Sequence, residues 1–133
     1  MFLVVAGTVF VVFVLVELVF RAVPHDVDKT STKRTVATQV EVLNGTTEVK
    51  AAQRLTEALR SGGFDVVDIG NYKSSNVGRT MVIARTEDKS AALSVASFLG
   101  VDKSCVFQRP DKNLYLDVSV VIGKDMNQLR VFK

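Results

Sequence analysis

The sequence predicts an α+β fold, in which an N-terminal transmembrane helix precedes a β-α-β-β-α-β-β domain with one sheet and two helices on one face. Three observations support this. Residues 2–20 form an apolar run that only Gly7, Thr8 and Glu17 interrupt. From Val36 onward, segments typical of strands alternate with segments whose apolar residues recur every three or four positions, as in amphipathic helices. Turns rich in Gly and Asn separate these segments.

The apolar run is long enough to cross a bilayer, because a helix over residues 2–20 spans about 28 Å at ~1.5 Å per residue. We predict that residues 1–21 form a transmembrane anchor that contacts the membrane through residues 2–20. A cleaved signal peptide would place basic residues before the run and a small-x-small site after it. A core helix would place polar residues at regular intervals. Neither pattern is present, so an uncleaved anchor is favoured over both alternatives.

Residues 22–35 have the composition of a polar linker, with many charges and hydroxyl groups. His25, the single histidine of the chain, lies there with no cysteine or second histidine nearby, so the spacing predicts no metal site. The net charge of the chain is +3, and charges of both signs alternate along the domain instead of forming a basic stripe with aromatic residues. A nucleic-acid partner is therefore not expected.

Enzymatic chemistry also lacks a sequence signal. Without a histidine in the domain, a Ser-His-Asp arrangement is not available, and the sequence contains no glycine-rich phosphate loop. Cys105 is the single cysteine, so it cannot form an internal disulfide, and it is expected to be a small buried apolar residue. We predict that the protein is not an enzyme and has no cofactor.

The first predicted strand covers residues 36–43, and Asn44-Gly45 then turns the chain. A helix follows, for which Thr46 or Thr47 is the expected N-cap. Its apolar positions recur at spacings of three and four: Val49, Ala52, Leu55, Ala58 and Leu59.

The first helix is expected to end at Ser61-Gly62-Gly63, because glycine readily adopts the left-handed backbone conformation found at helix ends. A second strand over residues 64–69 ends at Gly70-Asn71. The polar loop over residues 72–78 leads to a third strand over residues 81–84.

The second half repeats this pattern. Thr86 or Asp88 is expected to cap a second helix, which ends at Gly100. A short strand is predicted around residues 105–107. The last strand, residues 116–122, is the most apolar and is therefore expected to lie at the centre of the sheet. The second helix has one apolar face, formed by Ala92, Val95, Ala96 and Leu99. After the last strand, a C-terminal turn or short helix is expected to pack back through Met126, Leu129 and Phe132.

Several segments, taken in this order, resemble the LytR C-terminal domain family. The strongest are Val42-Leu43-Asn44-Gly45, Gly63-Phe64-Asp65-Val66-Val67 and the segment from Asp117 to Gly123. The resemblance covers about residues 36–126, and we interpret residues 36–133 as a LytR C-terminal-like domain. In that family the domain often follows a LytR-CpsA-Psr catalytic domain, but it also occurs alone behind one membrane helix. This chain is similar to the stand-alone, membrane-anchored form, so the resemblance does not imply transferase activity.

The resemblance implies a single-pass protein of the cell membrane whose domain lies outside the cytoplasm. The basic residues after the apolar run favour the opposite orientation by the positive-inside rule. We expect a non-catalytic cell-envelope module that contacts peptidoglycan or an attached glycopolymer. The alternative is a scaffold subunit of a wall-assembly complex that contacts envelope proteins and binds no glycan.

Two groups of residues are candidate ligand-binding positions. Asn44 and Gly45 follow the first strand, where ligand sites often lie, although a tight turn alone would explain both residues. Asn71, Tyr72 and Arg79 belong to the polar loop region, where an aromatic ring near cations could hold a sugar or an anionic glycan. A solvated loop is the simpler alternative. A glycan site predicts a groove on the open sheet face near Tyr72 and Arg79, whereas a scaffold predicts an exposed apolar patch or a free edge strand.

Overall fold

A computed structural model of the chain describes residues 36–133. The predicted anchor (residues 1–21) and linker (residues 22–35) lie outside these residues. Within residues 36–133, no helix is long and apolar enough to cross a membrane.

The described part contains five strands and two α-helices in the predicted order β-α-β-β-α-β-β. Three single-turn 3-10 helices, Lys103–Cys105, Met126–Gln128 and Arg130–Phe132, complete it. The main elements are β1 (Gln39–Asn44), α1 (Ala51–Ser61), β2 (Asp65–Asn71), β3 (Met81–Ala84), α2 (Ser90–Leu99), β4 (Val106–Gln108) and β5 (Val118–Ile122).

The five strands form one mixed sheet in the order β2-β1-β5-β3-β4. β1 is parallel to both β2 and β5, whereas β3 is antiparallel to β5 and parallel to β4. All five residues of β5 are buried, which confirms the prediction that the most apolar strand is central. β2 is an edge strand, and its Val67 and Ile69 are 46% and 47% exposed.

One face of the sheet carries the core. Val40 is in register with Val118, and Val120 is in register with both Val42 and Val82, so these side chains point to the same side. A single buried cluster joins them to the apolar stripes of both helices: Leu55 and Leu59 of α1, and Val95 and Leu99 of α2. Both helices therefore lie on one face of the sheet, as predicted. Burial of such a side chain contributes roughly 1.5–3 kcal/mol relative to leaving it exposed.

The start of α1 differs from the prediction. The N-cap position is Lys50, without a side-chain cap, so neither Thr46 nor Thr47 caps the helix. Instead, the backbone N–H and the hydroxyl of Thr46 both donate to Asn44 Oδ1, at 3.0 and 2.8 Å. Val49 precedes the helix and is 92% exposed, so its predicted place on the apolar face is wrong. The hydrogen-bonded turn after β1 delays the helix by several residues.

The start of α2 is closer to the prediction. Lys89 occupies the N-cap position, but Asp88 accepts from the backbone N–H of Ser90 at 2.8 Å and from its hydroxyl at 2.6 Å. Thr86 does not cap the helix, because its hydroxyl donates to the carbonyl oxygen of Asp88. Gly100 ends the helix with φ +76°, as predicted.

The remaining expectations about the core are confirmed. Cys105 is buried, and so are Met126 and Leu129 of the C-terminal turns. Phe132 packs against the same core, and the guanidinium of Arg54 lies 5.0 Å from the centre of its ring. The C-terminal turns therefore close one end of the core.

Candidate functional site

The face of the sheet opposite the helices, here called the open face, carries a row of side chains that crosses four strands. Glu41 is in register with Ser119, Ser119 with Ile83, and Ile83 with Phe107. Arg85 follows β3 two residues after Ile83, so the alternation of side chains places it on the same face. The row therefore combines apolar residues with two opposite charges.

Arg85 is held in place by the central strand. Its Nε donates to Ser119 Oγ at 2.8 Å, and the Ser119 hydroxyl donates to Glu41 Oε2 at 2.6 Å. The Arg85 backbone is also fixed, because its N–H donates to the carbonyl of Asp117 at 2.8 Å and its carbonyl accepts from the N–H of Asp111 at 2.9 Å. The two terminal nitrogens of Arg85 make no hydrogen bond to any residue in the range 36–133, so they can bind a ligand.

A cavity of about 350 Å³ lies on this face beside Arg85; we call it the Tyr72 cavity. Its floor is apolar, two aromatic rings line it and three cations surround it, and no carboxylate is among its lining residues. These residues are Tyr72, Lys73, Met81, Ile83, Arg85, Phe107 and Arg109. Lys73 Nζ lies 5.9 Å from the centre of the Tyr72 ring. Guanidinium and ammonium groups donate strongly to carboxylate and phosphate oxygens, so the cavity suits an anionic ligand.

The backbone around Tyr72 is fixed to the ends of the strands. The N–H of Tyr72 donates to the carbonyl of Asn44 at 2.8 Å, and Asn71 is in register with Asn44. Further along the loop, the N–H of Val77 donates to the carbonyl of Gly45 at 2.9 Å. The structure therefore brings together four of the predicted site residues: Asn44, Gly45, Asn71 and Tyr72.

Only Tyr72 among these four lines the cavity. The Asn44 side chain is used locally, since it also donates to the carbonyl of Glu48 at 2.8 Å. A Cβ atom at Gly45 would lie 2.5 Å from the carbonyl oxygen of Ile122. Asn44 and Gly45 therefore have clear structural roles in the turn, and Asn71 is an exposed residue at the end of β2.

The fifth predicted site residue, Arg79, is not part of the cavity. It is exposed and absent from the lining of the Tyr72 cavity, and its backbone packs against Gly123. Hydrogen bonds from the side chain and backbone of Ser104 lower the pKa of Asp102, and the charge of Arg79 lowers it further. The cations beside Tyr72 are Lys73, Arg85 and Arg109 instead.

Sequence reasoning missed Arg85 and Arg109 as site residues, although a signal was present. Met81, Ile83 and Arg85 follow each other at a spacing of two, and so do Phe107 and Arg109. Alternation along a strand places such residues on one face. Both arginines lie just past the strand ends, where the apolar pattern stops.

The arrangement can bind but has no evident reacting group. The lining of the Tyr72 cavity contains neither a carboxylate nor a hydroxyl or thiol paired with a base. Over residues 36–133 there is also no group of three His, Cys, Asp or Glu side chains that could hold a metal ion. The chemistry on offer is charge pairing and ring stacking.

The fold and the cavity define a small α+β domain with a cationic, aromatic-lined surface cavity. A family model described as "LytR cell envelope-related transcriptional attenuator" matches residues 37–125, which is more than half of the chain. The chain belongs to this family, the LytR C-terminal domain family, so the resemblance predicted from the sequence is confirmed. No curated protein matches the chain significantly.

Among solved structures, the chain is similar to the soluble domain of a conserved hypothetical secreted protein from Mycobacterium marinum. The two are 23% identical, with a TM-score of 0.54, over 69% of this chain. The chain spans 62% of that domain's length. At this identity, the likeness supports the fold.

Proposed function

We propose that this chain is a non-catalytic cell-envelope module, tethered to the membrane by residues 2–20, that binds peptidoglycan or an attached glycopolymer outside the cytoplasm. Membership of the LytR C-terminal domain family supports a role in the envelope. The similar protein from Mycobacterium marinum is described as secreted, which supports an extracytoplasmic domain.

The observation that carries the proposal is the grouping of Lys73, Arg85 and Arg109 around Tyr72 and Phe107. Wall glycans combine sugar rings, whose C–H faces stack on aromatic side chains, with carboxylate or phosphate groups that pair with cations. Because Arg85 is fixed before a ligand arrives, little conformational entropy is lost on binding. Tyr72 remains a proposed ligand residue, and the geometry adds Arg85 and Arg109.

A sedimentation experiment tests the proposal. The full chain in a non-ionic detergent is mixed with purified sacculi that retain their glycopolymers, and with sacculi from which these polymers have been stripped. We expect the protein to pellet with sacculi, and Tyr72→Ala or Arg109→Gln to reduce the bound fraction severalfold. Arg79→Gln is the matched control, because it removes an exposed arginine that does not line the cavity.

The two preparations of sacculi identify the target. Equal binding to both supports peptidoglycan, and binding only to decorated sacculi supports the glycopolymer. If a folded protein pellets with neither, or if Arg79→Gln weakens binding as much as Arg109→Gln does, the proposed site is wrong.

A scaffold role is the second candidate, and the edge strand β2 favours it. Val67 and Ile69 are about half exposed there, and an edge strand with exposed apolar side chains can pair with a strand of another protein. Val67→Lys would block such pairing and leave the Tyr72 cavity intact. Loss of cross-linked envelope partners in Val67→Lys, with unchanged binding to sacculi, would support the scaffold role.

A further inference from the structure

A second cavity, of about 400 Å³, meets the Tyr72 cavity at Arg85; we call it the Tyr115 cavity. Arg85 lines both. Two consecutive residues lie on either side of the boundary, because Arg109 lines the first cavity and Pro110 the second. The two cavities are therefore neighbours along one surface.

The boundary between the cavities is well fixed. The N–H of Arg109 donates to the carbonyl of Ala84 at 2.9 Å, and the N–H of Asp111 donates to the carbonyl of Arg85 at 2.9 Å. Both bonds continue the pairing of β3 and β4 beyond the strand ends. The Arg85 side chain is held from the other side by Ser119. A ligand that reaches from one cavity to the other must therefore pass along Arg85.

Tyr115, which lines the second cavity, has an unusual exposure and an unusual backbone conformation. The residue is 87% exposed, although an aromatic ring of this size normally gains by burial. Its backbone has φ +48°, and it is the one residue other than glycine in the range 36–133 with a positive φ. A tyrosine in this conformation is uncommon, and such backbone strain concentrates at functional sites.

The polar groups of the Tyr115 cavity differ from those of the Tyr72 cavity. Here the cations Arg85 and Lys112 lie with three carboxylates, those of Glu87, Asp111 and Asp117, so charges of both signs are present. Within the described chain, neither the Glu87 carboxylate nor the Lys112 ammonium has a hydrogen-bond or ion-pair partner. Such a mixture can pair with sugar hydroxyls, which both donate and accept hydrogen bonds.

We infer that the two cavities form one groove for an extended anionic glycan chain, whose charged groups pair at Arg85 and Arg109 while a neighbouring sugar ring stacks on Tyr115. This inference rests on the proposed function, and it extends that function from a single site to a chain several sugars long. It identifies Tyr115 as a specificity residue for chain length.

The test compares a trimer and a decamer of α-1,4-galacturonate as polyanionic probes, with maltodecaose as the neutral control. Affinities for the full chain in non-ionic detergent are measured by isothermal titration calorimetry. A decamer also offers more overlapping registers than a trimer, so the variants, not the ratio of the two affinities, decide the outcome.

We expect Tyr115→Asn to weaken decamer binding about tenfold, which corresponds to about 1.4 kcal/mol, and to leave trimer binding within about twofold. Asparagine tolerates a positive φ, so this variant removes the ring without adding backbone strain. Tyr115→Phe keeps the ring and should keep both affinities. Maltodecaose should bind at least about tenfold more weakly than the galacturonate decamer, because it cannot pair with the arginines.

The outcomes separate the two proposals. If Tyr72→Ala weakens the binding of both galacturonates but Tyr115→Asn changes neither affinity, the proposed site at the Tyr72 cavity stands and the extended groove is overturned. If the wild-type chain binds neither galacturonate nor sacculi, both proposals fail. If the extended groove is supported, two further probes assign the source of the anionic chain. These are polymer released from decorated sacculi and glycan strands from stripped sacculi.

Discussion

Ser119 Oγ lies 2.8 Å from Nε of Arg85 and is fully buried at the centre of the sheet. The same hydroxyl donates to Glu41 at 2.6 Å, so it links a cation and an anion that are two strands apart. Within the described residues, Arg85 and Glu41 form no direct ion pair. Ser119 thus keeps the guanidinium oriented and prevents the neighbouring carboxylate from occupying its terminal nitrogens.

Ser119→Ala should therefore lower both stability and binding. The substitution removes two hydrogen bonds, and we expect the free energy of unfolding to fall by roughly 1–3 kcal/mol. Arg85 would then be free to pair with Glu41, so binding to decorated sacculi should weaken. Urea denaturation and a sedimentation titration measure the two effects.

Glu41→Gln is the variant to compare with Ser119→Ala. It keeps an acceptor for the Ser119 hydroxyl and removes a negative charge beside Arg85, so it should strengthen binding to decorated sacculi. A weaker-binding Glu41→Gln would contradict this account.

Gly45 is predicted to be required for folding, whatever its role in binding. An added Cβ would lie 2.5 Å from the Ile122 carbonyl oxygen and 2.6 Å from a Val77 methyl group. Gly45→Ala should therefore reduce the free energy of unfolding by roughly 1–3 kcal/mol, as overpacking does elsewhere. Gly78→Ala is the matched control, because nothing lies within 4 Å of its Cβ position. Equal urea midpoints for the two variants would show that the packing around Gly45 is not restrictive.

Acid should weaken the start of α2. Hydrogen bonds from the side chain and backbone of Ser90 lower the pKa of Asp88 below its usual 3.8. Because the pKa is lower in the folded state, the stabilisation is complete above pH 3.8 and is lost as the pH falls through the folded value. The difference in urea midpoint between wild type and Asp88→Ala should thus shrink below pH 3.8. A difference that grows with acid would contradict the assignment.

Much of the fold follows from local patterns that tertiary contacts only reinforce. The continuous apolar run in β5 predicts a strand buried on both faces, and the structure places it between β1 and β3. The stripes of the helices predict one shared core face. The order of the outer strands was not predictable in this way, because pairing depends on contacts between distant segments. The shift of register between β1 and β2, where Val67 lies unpaired between Val66 and Asp68, also depends on contacts between distant segments.

The candidate site was predicted less completely, for a related reason. Tyr72 stands out as a rare aromatic residue in a polar loop, so composition alone singles it out. Arg85 and Arg109 contribute because adjacent strands bring them beside Tyr72, and that proximity depends on the sheet order. Arg79 is close to Tyr72 in sequence, but it does not line the cavity. Sequence distance was a poor guide to spatial distance here.

Thr56 offers a test of the core itself. It is 2% exposed in α1, and its hydroxyl is the one buried side-chain polar atom in the described part of the chain without a hydrogen-bond partner. Thr56→Val removes that hydroxyl at nearly constant volume, and the two residues have similar helix propensities. We expect the free energy of unfolding to rise by about 1 kcal/mol, since an unsatisfied buried hydroxyl costs roughly 1–3 kcal/mol.

Thr80→Val is the matched control for that experiment. Thr80 is as deeply buried, but its hydroxyl donates to Asp125 Oδ1 at 2.7 Å and accepts from the N–H of Gly123 at 3.1 Å. The same chemical change should here lower the free energy of unfolding by roughly 1–3 kcal/mol, because it leaves both partners without their bond. Urea denaturation of the two variants should therefore shift the midpoint in opposite directions. A shift in the same direction would mean that the Thr56 hydroxyl finds a partner in solution, such as a bound water.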